Sequence, residues 1–328
     1  NKRIEALVRR VLDDVRVIVA DWPQMRERML EVAGDLPSRS IPVADANRAE
    51  AQEFLRWAAN DHFTFFGYRE YKVRRKGGDA RLEPVEGSGL GLLRTPGAVK
   101  SRPLSELGAD ALRREGLIDA LILTKTSARS TVHRPGYMDY IGVLRYDADG
   151  NVTGEQRFVG LYTSSAYTRR PWDIPLVRER FEHVMNASGL KPTGHSGKAL
   201  RHLLETLPRD ELFQSTPEEL YRLGTGILGL QERVRSRLFL RKDRYGRFYS
   251  VLAYIPRDRF NTDVRHRIEQ LLREVMQADH VDASVVLGES PLAQVHLIVR
   301  PRSGVATDID QAALEQALQG IVRNWQDD

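Results

Sequence analysis

From Arg237 onward the chain switches its hydrophobic period in an order that few architectures can satisfy. Residues 237–241 alternate as a strand, Asp243 and Gly246 bracket a tight turn, and residues 248–255 alternate again as the returning strand. Thr262 stands as a cap for a helix over residues 262–276, with Val264, Ile268, Leu271, Leu272 and Val275 on one face. Two more strands, residues 282–287 and 294–299, precede a last helix over residues 308–325. An order of strand, strand, helix, strand, strand, helix buries its apolar faces when both helices cover one side of a four-stranded sheet.

The beginning of the chain reads as helix. Ile4, Leu7, Val8, Val11, Leu12, Val15 and Val19 recur at three and four, and a second helix is predicted from Pro23 through Met25, Met29 and Val32 to Gly34. With no strand before them, these residues look like the tail of a domain continuing upstream. After a linker over residues 37–42, residues 44–60 form a helix that carries Phe54, Leu55 and Trp57. Residues 63–73 then alternate as an aromatic strand, Gly77 and Gly78 read as a turn, and residues 81–85 or 90–94 supply weaker strands. A short helix over residues 104–115 leads to strands at 120–124, 137–146 and 155–162. Helices follow at residues 174–188, 197–206 and 217–234, the last opened by Ser215, Thr216 and the acidic pair Glu218 and Glu219.

At 328 residues the chain exceeds what one core ordinarily serves, so several domains are expected. The fold class is α+β. Residues 1–42 form a helical lead-in, residues 43–172 an antiparallel PAS/GAF-like sheet domain, residues 173–235 a helical connector, and residues 236–328 a ββαββα, ACT-like (permuted ferredoxin-like) domain.

Composition narrows the chemistry. The chain has no cysteine, which excludes disulfides, thiolate nucleophiles and cysteine-held metals and points to the cytoplasm. No apolar run approaches the length of a membrane span, and the charged opening residues do not resemble a signal peptide. The formal charge of +5 comes from 50 Lys and Arg spread against 45 Asp and Glu, a dispersed pattern that argues against nucleic-acid binding. The eight histidines form no metal-binding motif. The run Gly87, Ser88, Gly89, Leu90, Gly91 lacks the Gly-Lys-Ser/Thr ending of a phosphate loop, and no dinucleotide fingerprint follows any strand. No Gly-x-Ser-x-Gly elbow surrounds Ser127, Ser130 or the hydroxyls of residues 163–165. Catalytic, cofactor-binding and metal residues are therefore assigned to no position. The segment His133, Arg134, Pro135, Gly136, Tyr137, Met138, Asp139, Tyr140 is denser in functional side chains than a strand entrance requires. His133, Arg134, Tyr137, Asp139 and Tyr140 are thus the candidate effector or interface residues.

Several segments carry a family likeness. Residues 57–71 (WAANDHFTFFGYREY), 132–135 (VHRP) with 137–143 (YMDYIGV), and 157–167 (RFVGLYTSSAY), with residues 208–214, 230–233 and 245–248, resemble the amino-terminal half of the large bacterial-type NAD-specific glutamate dehydrogenases. The likeness runs through nearly the whole chain. It implies a parent enzyme that deaminates L-glutamate to 2-oxoglutarate with reduction of NAD, and a non-catalytic regulatory or oligomerisation segment here. The NAD site and the substrate lysine belong to a later domain, so no cofactor is expected in this segment. The implied partners are that catalytic domain, further copies of the chain and an amino-acid effector. Two rivals stand beside this reading: a self-contained hydrolase using His133 and Asp139, and a ligand-free architectural spacer.

Overall fold

A computed structural model describes residues 2–76, 79–95, 102–103, 120–231, 234–288, 290–302 and 308–323. The chain forms two compact units, Asn1–His183 with Arg209–Pro217, and Val184–Pro208 with Glu218–Asp328. Both combine helices with antiparallel sheet, so the protein is α+β.

The first unit opens with α1 (Lys2–Asp35) and α2 (Asp45–Trp57). The sequence predicts two helices over residues 4–34, and one continuous helix is found, with Pro23 inside it. Proline removes the bond to the carbonyl four residues back. Here that carbonyl belongs to Val19, a residue 66% exposed on the outer side of the helix, while Ile18, Met25, Met29 and Val32 hold the helix to the core on either side. A π-type turn, Ala58–His62, ends α2 with Asp61 at φ +63°. That unusual backbone is braced by Thr163, whose hydroxyl donates to the Asp61 carbonyl at 2.9 Å.

The sheet comprises β1 (Phe63–Lys76), β2 (Asp79–Pro84), β3 (Leu90–Gly91), β4 (Arg102–Pro103), β5 (Leu121–Arg129), β6 (Tyr137–Tyr146) and β7 (Val152–Tyr162). Its order is β4-β2-β1-β7-β6-β5, with β3 also on β1 and every pairing antiparallel. The first and last long strands thus lie side by side at its centre. Strands β6 and β7 are buried on both faces, which explains why residues 138–144 and 155–162 lose the clean apolar-polar alternation of a half-solvated strand. Against one face pack Phe54 and Phe213, with Phe213 stacked on Tyr162 at 4.4 Å. On the other, Ile18 of α1 joins Phe66, Val132, Met138 and Leu161. A bulge between Phe65 and Gly67 re-aims β1.

Short helices α3 (Ser164–Thr168) and α6 (Arg209–Gln214) complete this unit; neither is predicted from sequence, because one or two turns show no apolar period. The predicted helix over residues 104–115 lies outside the described residues. Helix α4 (Val177–Ala187) leads toward the second unit.

The second unit holds α5 (His195–Thr206), α7 (Pro217–Gln231), β8 (Arg237–Lys242), β9 (Tyr249–Pro256), α8 (Thr262–Val275), β10 (Ala278–Val286), β11 (Leu292–Pro301) and α9 (Gln311–Arg323). Its sheet order is β10-β11-β9-β8. Val264, Ile268 and Leu272 of α8 and Leu314, Leu318 and Val322 of α9 share one cluster with Val251, Ala253, Val295 and Leu297, so both helices cover the same face. Helix α7 approaches the sheet through Gly226, where an added Cβ would stand 2.7 Å from the Phe239 ring. Asn261, rather than Thr262, caps α8, its side chain accepting from the Val264 amide at 2.9 Å. Helix α9 begins after Asp310, which accepts from the amides of Ala312 and Ala313.

Candidate functional site

The segment singled out by its side chains enters β6 and divides between several surroundings. His133 sits on an exposed loop at φ +66°. Arg134, also exposed, donates to the Tyr162 carbonyl at 3.0 Å and lies over the Tyr167 ring at 5.2 Å. Tyr137 receives the Arg129 guanidinium over its ring at 5.2 Å. Asp139 and Tyr140 follow one another along β6 and therefore leave opposite faces of the sheet. The five candidates do not converge on one pocket.

Asp139 belongs to a buried charge cluster. Lys125 Nζ lies 2.8 Å from Asp139 Oδ1 and 3.2 Å from Asp210 Oδ1, while Asp139 Oδ2 accepts from the Tyr162 amide at 3.0 Å. Register places Lys125 opposite Asp139, and α6 supplies Asp210. Burial opposes the Lys125 charge, but Asp139 and Asp210 outweigh it and raise its pKa above the ordinary lysine value. Burial raises that of Asp139, and the charge of Asp210 adds to this against the opposing pull of Lys125. One cation between two carboxylates leaves the second acid costly to ionise. Both Asp139 oxygens are thus engaged, which removes this carboxylate as an orienting partner for His133.

Tyr140 joins a second cluster on the opposite face. Its hydroxyl donates to Glu155, Arg157 Nη2 meets Glu155 Oε2 at 2.7 Å, and the Arg157 guanidinium lies over the rings of Tyr71 at 4.0 Å and Tyr140 at 5.0 Å. Sequence reading missed Lys125, Asp210, Glu155 and Arg157. The available signal was the run Glu155, Gln156, Arg157 opening a strand that turns wholly apolar afterwards.

The glycine run at residues 87–91 has found an anion within its own chain: the Gly91 amide donates to Asp21 at 2.7 Å, and Arg94 pairs with the same carboxylate. Gly91 at φ +58° has no room for a Cβ against the Phe66 carbonyl oxygen. Among the described residues no group of three or more His, Asp or Glu is placed to hold a metal, and no helix is long and apolar enough to cross a membrane. In the second unit a groove of about 430 Å³ is lined by Ser236, Pro256, Gln319 and the arginines Arg235, Arg259 and Arg323.

The ββαββα unit decides the family. Residues 237–326 match the ACT2 domain of glutamate dehydrogenase, and residues 174–233 match helical motif 1 of the same family. The chain is a segment of the NAD-specific glutamate dehydrogenase family. It is 39% identical over 329 aligned positions to the NAD-specific glutamate dehydrogenases of Halomonas elongata and of Pseudomonas aeruginosa, and 30% identical over 337 to that of Mycobacterium tuberculosis. These alignments cover 99% or more of this chain but 20% of each relative, so the chain spans about a fifth of the glutamate dehydrogenases it matches. Among solved structures, the periplasmic sensory domain of the Campylobacter jejuni chemoreceptor Tlp1 aligns with 91% of this chain and 95% of its own. Identity there is 9% and the TM-score 0.19, so nothing about this glutamate dehydrogenase segment follows from it.

Proposed function

We propose that this segment regulates and assembles an NAD-dependent glutamate dehydrogenase in the cytoplasm, where the longer protein oxidises L-glutamate to 2-oxoglutarate and ammonium. The reading rests on one observation: the four-stranded sheet and its two helices coincide with the ACT2 domain, following helical motif 1 in sequence, in a chain whose whole length aligns with about a fifth of such enzymes. In it the segment works by binding and packing. It carries no cofactor of its own; NAD and the hydride-transferring residues lie elsewhere in the longer protein. Its partners are that catalytic region, further copies of the chain and a small amino-acid effector. The exposed loop bearing His133 and Arg134, with Tyr137 at its end, serves as a contact surface.

An effector transmits a signal only through different affinities for two states of the assembly. The test compares the full-length enzyme with a version lacking the region that corresponds to this chain. Amino-acid-dependent changes in kcat/KM or in oligomeric state are expected in the first and absent in the second. Glutamate-dependent NAD reduction by the 328-residue chain alone would refute the assignment.

A further inference from the structure

Arg69 and Arg157 stand directly opposite each other in the β1–β7 register, so their side chains leave the same face of the sheet. Both are inside the protein, at 2% and 6% exposure. Like charges opposed on a ladder repel, and a guanidinium removed from water needs a counter-charge. Arg157 has one in Glu155, at 2.7 Å. Arg69 has none among the described residues. It donates to the carbonyl oxygens of Leu93 at 3.0 Å and Thr95 at 3.3 Å, and its buried Nε has no hydrogen-bond partner.

The face holds a single acid within the paired stretches of β1, β6 and β7. Register places Glu70 and Asp139 on the opposite side and leaves Glu155 alone with the two arginines. Glu155 is already taken up by Arg157 and the Tyr140 hydroxyl. Gly142 lets that pair lie against the strand, since a Cβ there would stand 2.8 Å from both the Glu155 carboxylate and the Tyr140 ring. Within these paired stretches the face therefore carries two arginines against one acid, and Arg69 is the one without a carboxylate among the described residues.

We propose that this face of the first sheet binds a small organic carboxylate, whose anionic group pairs with Arg69 beside the wall formed by Arg157, Glu155 and Tyr140. A planar guanidinium with an unpartnered edge offers the forked geometry that a carboxylate accepts. The site stands whether or not the longer protein is the dehydrogenase, because binding is read on this chain alone.

The probes are L-glutamate, 2-oxoglutarate and acetate, with chloride and inorganic phosphate as non-carboxylate anions, titrated calorimetrically into the 328-residue chain and followed by thermal unfolding. One or more carboxylates are expected to saturate a single site and raise the unfolding midpoint, and Arg69→Met to weaken that binding at least tenfold. Without ligand, Arg69→Met is expected to be no less stable than the parent, because it removes an uncompensated buried charge. If Arg69 merely ties down residues 93–95, the variant melts earlier and no probe binds. No binding at millimolar concentration, equal binding of chloride or phosphate, or undiminished binding by Arg69→Met each overturns the proposal. Should that variant fail to fold, Arg69→Lys keeps the charge and discards the fork. Its binding is expected to fall severalfold, and equal affinity overturns the proposal in the same way.

Discussion

Replacing Lys125 by methionine removes the cation that lies between Asp139 and Asp210 in the buried cluster on β5. The side chains of Asp139 and Asp210 are 1% and 15% accessible, so water cannot replace the lost ammonium at the first and reaches the second poorly. Breaking a buried ion pair from one side costs about 3–5 kcal/mol, since it strands the partner's charge. That corresponds to about two to four orders of magnitude in the protection of amides that exchange by opening of the first unit. Hydrogen exchange at the β6 and β7 amides in Lys125→Met measures it without requiring the whole chain to unfold in one step. The deficit depends on pH. Asp139 already has a raised pKa in the fold, chiefly through burial, and losing Lys125 raises it further. A carboxylate with a folded pKa above its unfolded value favours the fold below the unfolded value and loses that contribution as pH rises through the folded one. The variant's deficit is therefore largest at neutral pH and shrinks on acidification toward the ordinary aspartate range, and adding Asp139→Asn to Lys125→Met recovers part of it at pH 7. A loss below about 1 kcal/mol at neutral pH, or one that does not change with acidification, refutes the cluster as a buried charge balance.

Other substitutions address the second unit. Ile268→Ala, at a fully buried position of α8, is expected to cost about 2–5 kcal/mol in urea unfolding monitored by exchange at β9 and β11. Gly226→Ala pushes a methyl to 2.7 Å from the Phe239 ring and is expected to lower stability by about 1–3 kcal/mol despite the better helix propensity of alanine, read by thermal unfolding. Asn261→Ala removes the cap that takes the Val264 amide and is expected to cost about 0.5–2 kcal/mol, with faster exchange confined to the first turn of α8.

The second unit was the more legible in sequence, and the reason is visible in its core. Val264, Ile268 and Leu272 are buried at the predicted helical spacing, while Val275, included in the same stripe, is 43% exposed at the helix end. Helix length there gives the period enough turns to speak. The central strands of the first unit have no solvated face, so Glu155, Arg157 and Asp139 interrupt them as buried charges that a period of two would place outside. Their partners were beyond sequence reasoning for a simpler reason. Lys125 and Asp210 lie far apart along the chain, and only the closing of α6 onto β5 brings them together. The segment around Tyr140 announced itself by composition, yet adjacency along a strand separates neighbours instead of gathering them, which is why Asp139 and Tyr140 ended in different clusters.

Residues 209–217 belong to the first unit although residues 184–208 before them belong to the second. They supply Asp210 to Lys125, the Phe213 ring stacked on Tyr162, and carbonyls of Leu212 and Phe213 to buried Arg180. During translation, the earlier strands therefore leave the ribosome without their closing piece. At about 5–20 residues per second the polypeptide between residues 183 and 217 takes roughly 2–7 s to synthesise. For that interval the aromatic surface of Phe54 and Tyr162 and the ammonium of Lys125 wait on the nascent chain without the ring of Phe213 and the carboxylate of Asp210.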